Sequence, residues 1–501
     1  MAQLAAIGAL AASPQAAQAL ARQKSVGTFS RELLIDAARK RAEKPFEPLP
    51  ATPKALAKLG YDQYREIRFN KNAALWPDPE PRFSLEAFAP GFLYREGVGI
   101  YVVESGEAYP VSVGSESFEA PSEEISRSLS EFNLFSGFRL HYPINKQTYA
   151  DEFVVFQGAS YFRMVSKGQT YGLSARGLAL NVAEPEGEEF PIFRSFYVER
   201  PSGGQDTMVV HALLDSKSVT GAYRFGIYPG DPSFIEVDLV LFPREPLGHV
   251  GIAPLTSMYM HAPNDPTLPP DYRPRVHDSE GLAMLTGRGE RLWRPLINPP
   301  TLQLSAFMDE APKGFGLVQR SRDFDEYQDL EARYETRPSA WVVPQGDWGR
   351  GHVTLVEIPS ASEANDNIVA YWRPEKPLEL NPEGHRLGYR MFWPDDIPLS
   401  RGFGRVVRSA EGRTLHSRLP QFAIDYDIAL AQGAAGVYAE VSTSAGAITE
   451  TLIHDNAETG GVRVFVTLNP DGADFAELRL TLRGADGGAL GETWLTRWLA
   501  R

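Results

Sequence analysis

The chain has no cysteine among its 501 residues. That absence excludes disulfides, thiolate nucleophiles, iron–sulfur clusters and cysteine-ligated zinc sites. Basic runs are also scarce, since none is longer than Arg39–Arg41 and the formal net charge is −14. Such a chain offers no electrostatic footprint for nucleic acid or for an anionic membrane. We therefore predict neutral or polar partners and no nucleic acid.

Several common functional motifs are absent as well. Beyond residue 20 no apolar run approaches the roughly 18 residues of a spanning helix, so we do not expect a membrane-embedded protein. The sequence lacks G-x-S-x-G, G-x-x-x-x-G-K-[ST], a dinucleotide G-x-G-x-x-G and H-E-x-x-H. None of the nine histidines pairs with another at metal-ligand spacing. We predict neither a metal nor a cofactor.

The first 22 residues are predicted to be a leader or the remnant of a signal peptide. Leu4–Ala12 is a short apolar core, and Ala17-Gln18-Ala19 has the small-x-small pattern that signal peptidase reads. Cleavage is expected near Ala19, which would make this an exported protein. The alternative is a disordered alanine-rich leader, because no Lys or Arg precedes the apolar core.

Most of the remaining sequence is typical of an all-β protein. Helical signals are confined to the front, where Ser30 can cap one segment and Thr52-Pro53 can start another that ends at Gly60. From about Phe69 onwards, short strand patterns alternate with turns. Gly99–Val103 and the following strand predict a hairpin, and Phe234–Phe242 alternates polar and apolar residues. These patterns indicate a sandwich or barrel.

A change in composition divides the chain into two predicted domains. The segment from Trp393 to Pro398 contains two prolines and two acids, as an interdomain connector does. We predict an N-terminal β-sandwich over 23–393, a linker over 394–404 and an immunoglobulin-like sandwich over 405–501. The stretch 401–413 is either a hinged loop beside the substrate cleft or a solvated linker.

Aromatic, arginine and carboxylate residues concentrate between Tyr259 and Arg408. Sugar-binding sites have this composition, because the C–H faces of a sugar stack on aromatic rings and its hydroxyls form hydrogen bonds to charged groups. For any single aromatic residue, packing in the core is the better interpretation. The candidate substrate-binding residues are Tyr272, Arg273, His277, Trp293, Arg294, Arg320, Trp348, Trp372 and Arg373.

Two carboxylates in this stretch are candidates for catalysis. Asp278 and Asp366 each end an irregular polar segment next to apolar strand sequence, where an acid can project into a cleft. Inverting glycoside cleavage needs one carboxyl group to protonate the leaving oxygen and another to activate water. The alternative for each aspartate is a turn-capping role.

The sequence contains four long motifs, which are Thr256-Ser-Met-Tyr-Met260, Tyr272-Arg-Pro-x-Val-His-Asp-Ser-x-Gly-Leu282, Trp293-Arg-Pro-Leu296 and Asp366-Asn-Ile-Val369. Together they resemble the osmoregulated periplasmic glucan biosynthesis proteins G and D. The likeness extends from Phe29-Ser-x-Glu-Leu-Leu34, through Lys313–Arg320 and Phe324–Glu331, to the C-terminal sandwich.

The resemblance implies a periplasmic protein with a galactose-mutarotase-like supersandwich followed by a smaller immunoglobulin-like sandwich. It also implies a part in making β-1,2-glucan, with inverting hydrolase or transglycosylase activity in some members. By motif match, Asp366 takes the general-acid role and Asp278 the general-base role.

The chemistry of these roles gives further expectations. Burial beside Tyr371 and Trp372 is expected to raise the pKa of Asp366, and charge on His277 or Arg273 to keep Asp278 ionised. Two other hypotheses remain open. One is a non-catalytic protein that binds the nascent glucan, and the other is a structural partner of the membrane glucan synthase.

Overall fold

The computed structural model describes residues 24–76, 82–114, 116–265, 270–397, 403–430 and 433–500. The predicted leader over 1–22 and its cleavage site lie outside the described residues, as does the middle of the predicted linker, 398–402. Four α-helices occur in the described part of the chain, all in its first third. They are α1 Arg31–Ala42, α2 Lys54–Ala57, α3 Tyr61–Arg65 and α4 Glu123–Phe132.

Strands make up most of the rest. The strands of the first half are β1 Gly27–Thr28, β2 Arg68–Phe69, β3 Ser84–Phe88, β4 Gly99–Glu104, β5 Glu107–Pro110, β6 Phe118–Glu119, β7 Gly137–Lys146, β8 Tyr149–Gln157, β9 Tyr161–Met164, β10 Ser174–Arg176, β11 Ala179–Leu180, β12 Ile192–Glu199, β13 Met208–Asp215, β14 Val219–Tyr228, β15 Ser233–Pro243 and β16 Val250–Ser257.

The second half continues the pattern with shorter strands first and long C-terminal strands last. They are β17 Tyr259–His261, β18 Val276–His277, β19 Gly281–Leu285, β20 Arg291–Pro295, β21 Gln303–Glu310, β22 Gly314–Val318, β23 Ala340–Gln345, β24 Arg350–Glu357, β25 Ile368–Pro374, β26 His385–Trp393, β27 Val406–Arg413, β28 Pro420–Tyr426, β29 Val437–Thr443, β30 Ala447–Asn456, β31 Gly461–Asn469, β32 Phe475–Gly484 and β33 Thr493–Leu499.

The described residues form two compact units. The first contains the described residues up to Ser160, Ile192–Asp215 and Thr220–Ile227. Its strands follow the orders β1-β5-β4-β12-β13-β14 and β8-β7-β3. Phenylalanines from the two runs meet in the core, with ring centroids 5.0 Å apart for Phe138 and Phe196 and 5.1 Å apart for Phe156 and Phe225. This unit is therefore a sandwich whose interior is aromatic.

The second unit contains Tyr161–Pro191, Ser216–Val219 and the described residues from Tyr228 on. One run has the order β15-β26-β23-β22-β19-β20-β33-β32-β29, another β21-β24-β25-β16-β10-β9, and a third β27-β28-β31-β30. Phe422 of β28 packs on Trp494 of β33 with ring centroids 5.6 Å apart, so the C-terminal strands also form a sandwich. The short pair β17 and β18 positions the candidate site.

The all-β prediction is confirmed. The predicted hairpin is β4 and β5, turned by Ser105 and Gly106 at φ 53° and 77°. In β15 the apolar residues of the predicted alternation, from Ile235 to Leu241, are buried while Glu236 is not. The Ser30 hydroxyl accepts a hydrogen bond from the backbone N–H of Leu33, as its predicted capping role requires.

Two expectations need correction. The strand pattern predicted from Phe69 onwards is interrupted by α4, which Ser122 caps and which buries Ile125 and Leu129. Within the stretch 401–413, residues 406–413 are neither a loop nor a linker, because Val406–Arg413 is β27 and pairs with β28. The division at 394–404 between two sandwich domains stays a prediction.

Candidate functional site

Asp278 lies at the end of β18, where the backbone is anchored to a neighbouring segment. Its N–H donates to the carbonyl of Met258 over 2.8 Å. One residue earlier, His277 pairs with Tyr259 across β17 and β18. The side chain of Asp278 is 7% exposed, so its carboxyl group lies within the protein rather than on a solvated loop. The backbone fixes this carboxyl beside Met258 and Tyr259.

Asp366 reaches the same segment from the opposite side. It ends an exposed stretch, and the next residue, Asn367, is 1% exposed. The Asn367 side chain accepts from the N–H of Tyr259 over 2.8 Å and donates to the carbonyl of Tyr259 over 2.9 Å. Ile368 then pairs with Ser257 across β25 and β16. Asp278 and Asp366 are therefore both held against residues 257–259, although 88 positions separate them in sequence.

The two carboxylates interact electrostatically. Burial raises the pKa of Asp278 above its ordinary value, and the negative charge of Asp366 raises that pKa further. Arg337 acts in the opposite direction, since its guanidinium lies close to Asp278, donates to Oδ1 and lowers the pKa. Arg163 also lowers it, more weakly. Asp278 is thus a buried carboxyl group with one cation in direct contact.

The expectation that His277 or Arg273 keeps Asp278 ionised is wrong. Burial lowers the pKa of His277 to about 3, so this imidazole is neutral at pH 7. Its Nδ1 lies 2.8 Å from Oε1 of Gln319, and its ring stacks on Tyr259. Arg273 bonds instead to Asp271, and hydrogen bonding to Arg273 holds the pKa of Asp271 at about 2. Arg337 takes the role expected of these two residues.

Arg337 belongs to a chain of contacts that leads back towards Asp366. Its guanidinium carbon lies 4.4 Å from the centre of the Tyr334 ring. The Tyr334 hydroxyl donates to Oε2 of Glu363 over 3.1 Å, and Nη1 of Arg273 lies 2.9 Å from the same carboxylate oxygen. Glu363 precedes Asp366 by three residues. The segment between β22 and β23 therefore links the surroundings of both carboxyl groups.

Near Asp366 lies a further cluster, whose residues are not among the predicted site residues. The negative charge of Asp366 contributes to the raised pKa of Tyr161, although burial is the larger cause. Arg176 lies 4.8 Å from the centre of the Tyr161 ring and donates to the hydroxyl of Thr256 over 2.8 Å. It also forms an ion pair with Glu188. Two further aromatic and cationic groups thus surround the site.

The expected burial of Asp366 is also wrong. Its side chain is exposed, whereas Tyr371 and Trp372 are 0% and 1% exposed inside the unit. The two rings lie in β25, five and six positions after Asp366 in the chain. They cannot shield its carboxyl group from water in the free protein.

The structure separates the predicted sugar-binding residues into two groups. Tyr272 is 77% exposed, and the Arg273 guanidinium carbon lies 5.9 Å from its ring centre. Arg373 is half-buried and donates to the carbonyl of Gly248 over 3.2 Å. The remaining candidates have side chains no more than 8% exposed, so core packing or internal ion pairing accounts for them: His277, Trp293, Arg294, Arg320, Trp348 and Trp372.

Two of the buried arginines have internal partners. Arg294 pairs with Glu357 over 3.1 Å, and both side chains are no more than 1% exposed. Arg320 pairs with Glu492 over 2.7 Å and lies 3.6 Å from the centre of the Trp293 ring. These contacts tie elements of the second unit together inside the protein.

The arrangement can support proton transfer on a bound molecule. Asp278 is desolvated and held by a cation, and its raised pKa makes it a stronger base once it is ionised. Asp366 is open to solvent and can meet a ligand directly. Tyr272 adds an exposed aromatic face, and Arg273 and Glu363 add hydrogen-bonding groups. Such a mixture of ring faces and planar polar groups suits a sugar.

Comparisons with known proteins agree on one family. A family model described as "Periplasmic glucan biosynthesis protein, MdoG" matches residues 29–498. Glucans biosynthesis protein G 2 of Shewanella oneidensis is 49% identical over 95% of this chain and 90% of its own length. The proteins named Glucans biosynthesis protein G in Shewanella frigidimarina and Vibrio cholerae are 47% and 46% identical, each over 95% of this chain and 86% and 88% of their own lengths.

A solved structure gives no further information. The N-terminal domain of the Streptococcus gordonii adhesin Sgo0707 aligns at 7% identity over 87% of this chain and 93% of that one. Its TM-score is 0.11, which is too low to carry an argument about the fold.

Proposed function

The chain belongs to the MdoG family of periplasmic glucan biosynthesis proteins, and we propose that it acts on β-1,2-glucan as an inverting hydrolase or transglycosylase. In this proposal Asp366 is the general acid and Asp278 the general base. The observation that carries it is the electrostatic interaction of two carboxyl groups that the fold holds on either side of residues 257–259. No helix in the described part of the chain has the length and apolarity to span a membrane. We propose a periplasmic location from the family.

The base assignment fits the environment of Asp278. A general base works best when its pKa lies near the operating pH and it still ionises. Burial raises the pKa of Asp278, while the Arg337 guanidinium favours the ionised form. Together these effects give a carboxylate that is stronger as a base than a solvated one. In an inverting reaction it removes a proton from the water or sugar hydroxyl that attacks the anomeric carbon.

The acid assignment fits the exposure of Asp366. A glucan laid across this exposed carboxyl group can contact it directly. Asp366 then donates its proton to the glycosidic oxygen as the C–O bond breaks. Asn367 restrains the backbone next to it, so the carboxyl group stays near residues 257–259 when the ligand arrives.

One observation favours a different function. Asp278 is already bound to Arg337, and a buried aspartate–arginine pair is a common structural feature. On that basis the protein would bind and present the nascent glucan without cleaving it. It could also serve the membrane glucan synthase as a structural partner, in which case the isolated chain would show neither turnover nor oligosaccharide binding.

Turnover and binding assays separate these functions. The purified chain is incubated with linear β-1,2-glucan, and product sizes are followed by chromatography beside the variant Asp366→Asn. We expect shorter or rearranged glucans with the unchanged chain and at least about a hundredfold slower formation with the variant. The variant should still bind glucan in calorimetry. Unchanged glucan with both proteins, together with equal binding, would establish the non-catalytic function instead.

A further inference from the structure

The first unit contains a pocket that the proposed chemistry does not use. Its volume is about 670 Å³, and its walls come from the start of α1, the turn between β4 and β5, and the chain after β12. This volume falls within the usual range for small-ligand sites. We refer to it as the Phe29 pocket. Phe29 and Ser30 begin one of the long motifs of the sequence, and that motif has no part in the Asp278 and Asp366 site.

An aromatic stack forms one wall. The ring of Phe29 lies 4.6 Å from that of Tyr197 at an interplanar angle of 20°. Tyr197 in turn stacks on Tyr101 with centroids 4.8 Å apart. The backbone N–H of Phe29 donates to the carbonyl of Gly106 over 2.7 Å, which holds the ring at the pocket. A fixed, half-buried aromatic ring offers an apolar face for the C–H groups of a pyranose.

His211 supplies an unsatisfied polar atom. It lines the pocket, is 3% exposed and has its Nε2 2.8 Å from Oε1 of Glu199. Hydrogen bonding to His211 lowers the pKa of Glu199, so this carboxyl group is ionised and accepts from Nε2–H. The other ring nitrogen, Nδ1, is buried and has no hydrogen-bond partner within the described part of the chain.

The charges around the pocket are nearly balanced. Arg31, Arg200 and Arg224 line it together with Glu104 and Glu199. Arg200 forms an ion pair with Glu104. An anionic ligand would meet two carboxylates, whereas the hydroxyl groups of a neutral ligand can both donate and accept and so can bond to His211 as well as to the guanidinium groups. This chemistry favours a sugar over a phosphate.

We propose that the Phe29 pocket is a second carbohydrate site, which binds a glucosyl unit of the glucan through Phe29 and His211. It is separate from the proposed catalytic site because all of its lining residues belong to the first unit. The protein therefore binds glucan at two places, one for chemistry and one for retention.

Calorimetry on the full chain tests this proposal. The variant Asp366→Asn, which should not turn over substrate, is titrated with a linear β-1,2-linked gluco-oligosaccharide, and we expect two binding sites. Adding Ser202→Trp, a large side chain at an exposed lining residue, should reduce the number to one. Adding His211→Phe should weaken one site about tenfold. Thr148→Trp, an exposed change in the turn between β7 and β8, is the matched control and should leave both sites intact.

The possible outcomes distinguish the two proposals. A single site that persists with Ser202→Trp would overturn the second site and leave the catalytic site standing. A single site that disappears with Ser202→Trp would support the Phe29 pocket and count against glucan binding at Asp278 and Asp366. A parallel titration with inorganic phosphate checks the ligand class. Phosphate binding that Ser202→Trp removes, without any sugar binding there, would overturn the carbohydrate assignment.

Discussion

The side-chain amide of Asn367 forms hydrogen bonds to both the N–H and the carbonyl of Tyr259, at 2.8 and 2.9 Å. It thereby mimics a strand neighbour at the point where β25 begins. Tyr259 pairs with His277 on its other side. Tyr259 thus connects Asn367, which follows the proposed acid, to His277, which precedes the proposed base.

Replacing this amide should therefore affect both stability and activity. Asn367→Ala removes a bond to the carbonyl of Ile358 and the two bonds to Tyr259, whose buried backbone N–H and carbonyl then lose these partners. We expect the free energy of unfolding to fall by about 3 kcal/mol in denaturant titrations. Glucan turnover should fall even at temperatures where the variant is folded. Asn365→Ala, at an exposed neighbour, is the control and should change neither.

The charge of Arg337 should set the acidic limb of the pH profile. Arg337 lowers the pKa of Asp278, so Arg337→Gln raises that pKa further. A general base must be ionised, and the acidic limb of kcat/KM should therefore move to higher pH. Arg333→Gln removes a cation of the same segment that pairs with Glu335 instead, and its profile should match that of the unchanged chain. If the acidic limb of kcat/KM stays at the same pH in both variants, Asp278 is not the general base.

Tyr272 should contribute to affinity more than to stability. Its side chain is 77% exposed, so Tyr272→Ala removes little buried surface and should leave the unfolding midpoint unchanged. Loss of a stacking face should raise KM about tenfold with little change in kcat. Tyr438→Ala, at an exposed tyrosine of β29, is the matched control. Equal KM values for the two variants would show that Tyr272 does not contact the glucan.

Trp293 should contribute to stability more than to affinity. It is 2% exposed, lies under the Arg320 guanidinium and shares a hydrophobic core with the C-terminal strands. Trp293→Ala should lower the free energy of unfolding by about 3–5 kcal/mol, because it leaves a large cavity. The fraction that remains folded should bind glucan with unchanged affinity in calorimetry. Weaker glucan binding by the fully folded variant would show that Trp293 does take part in sugar binding.

Local patterns in the sequence predicted local structure well. The alternation in Phe234–Phe242, the Ser105-Gly106 turn and the Ser30 cap depend on neighbours within a few residues, and each is observed. Helix α4 was missed because its ten residues follow strand-like sequence and bury only Ile125 and Leu129.

The surroundings of the site depend on contacts that no local pattern contains. Arg337 meets Asp278 across 59 residues, and the motif Phe324–Glu331 pointed to its segment without assigning a role to it. The same limit applies to the tryptophans. A cluster of aromatic residues has the same composition whether it lines a cleft or fills a core, and only Tyr272 among the predicted aromatics is exposed.

The stereochemistry of the first product tests the central claim most directly. The purified chain is mixed with linear β-1,2-glucan, and the anomeric protons of the newly formed reducing ends are followed by NMR before mutarotation. Inverting cleavage by Asp366 and Asp278 predicts that the α anomer forms first and that neither Asp366→Asn nor Asp278→Asn produces it. The β anomer as first product, or α anomer from either variant at the rate of the unchanged chain, would contradict the account.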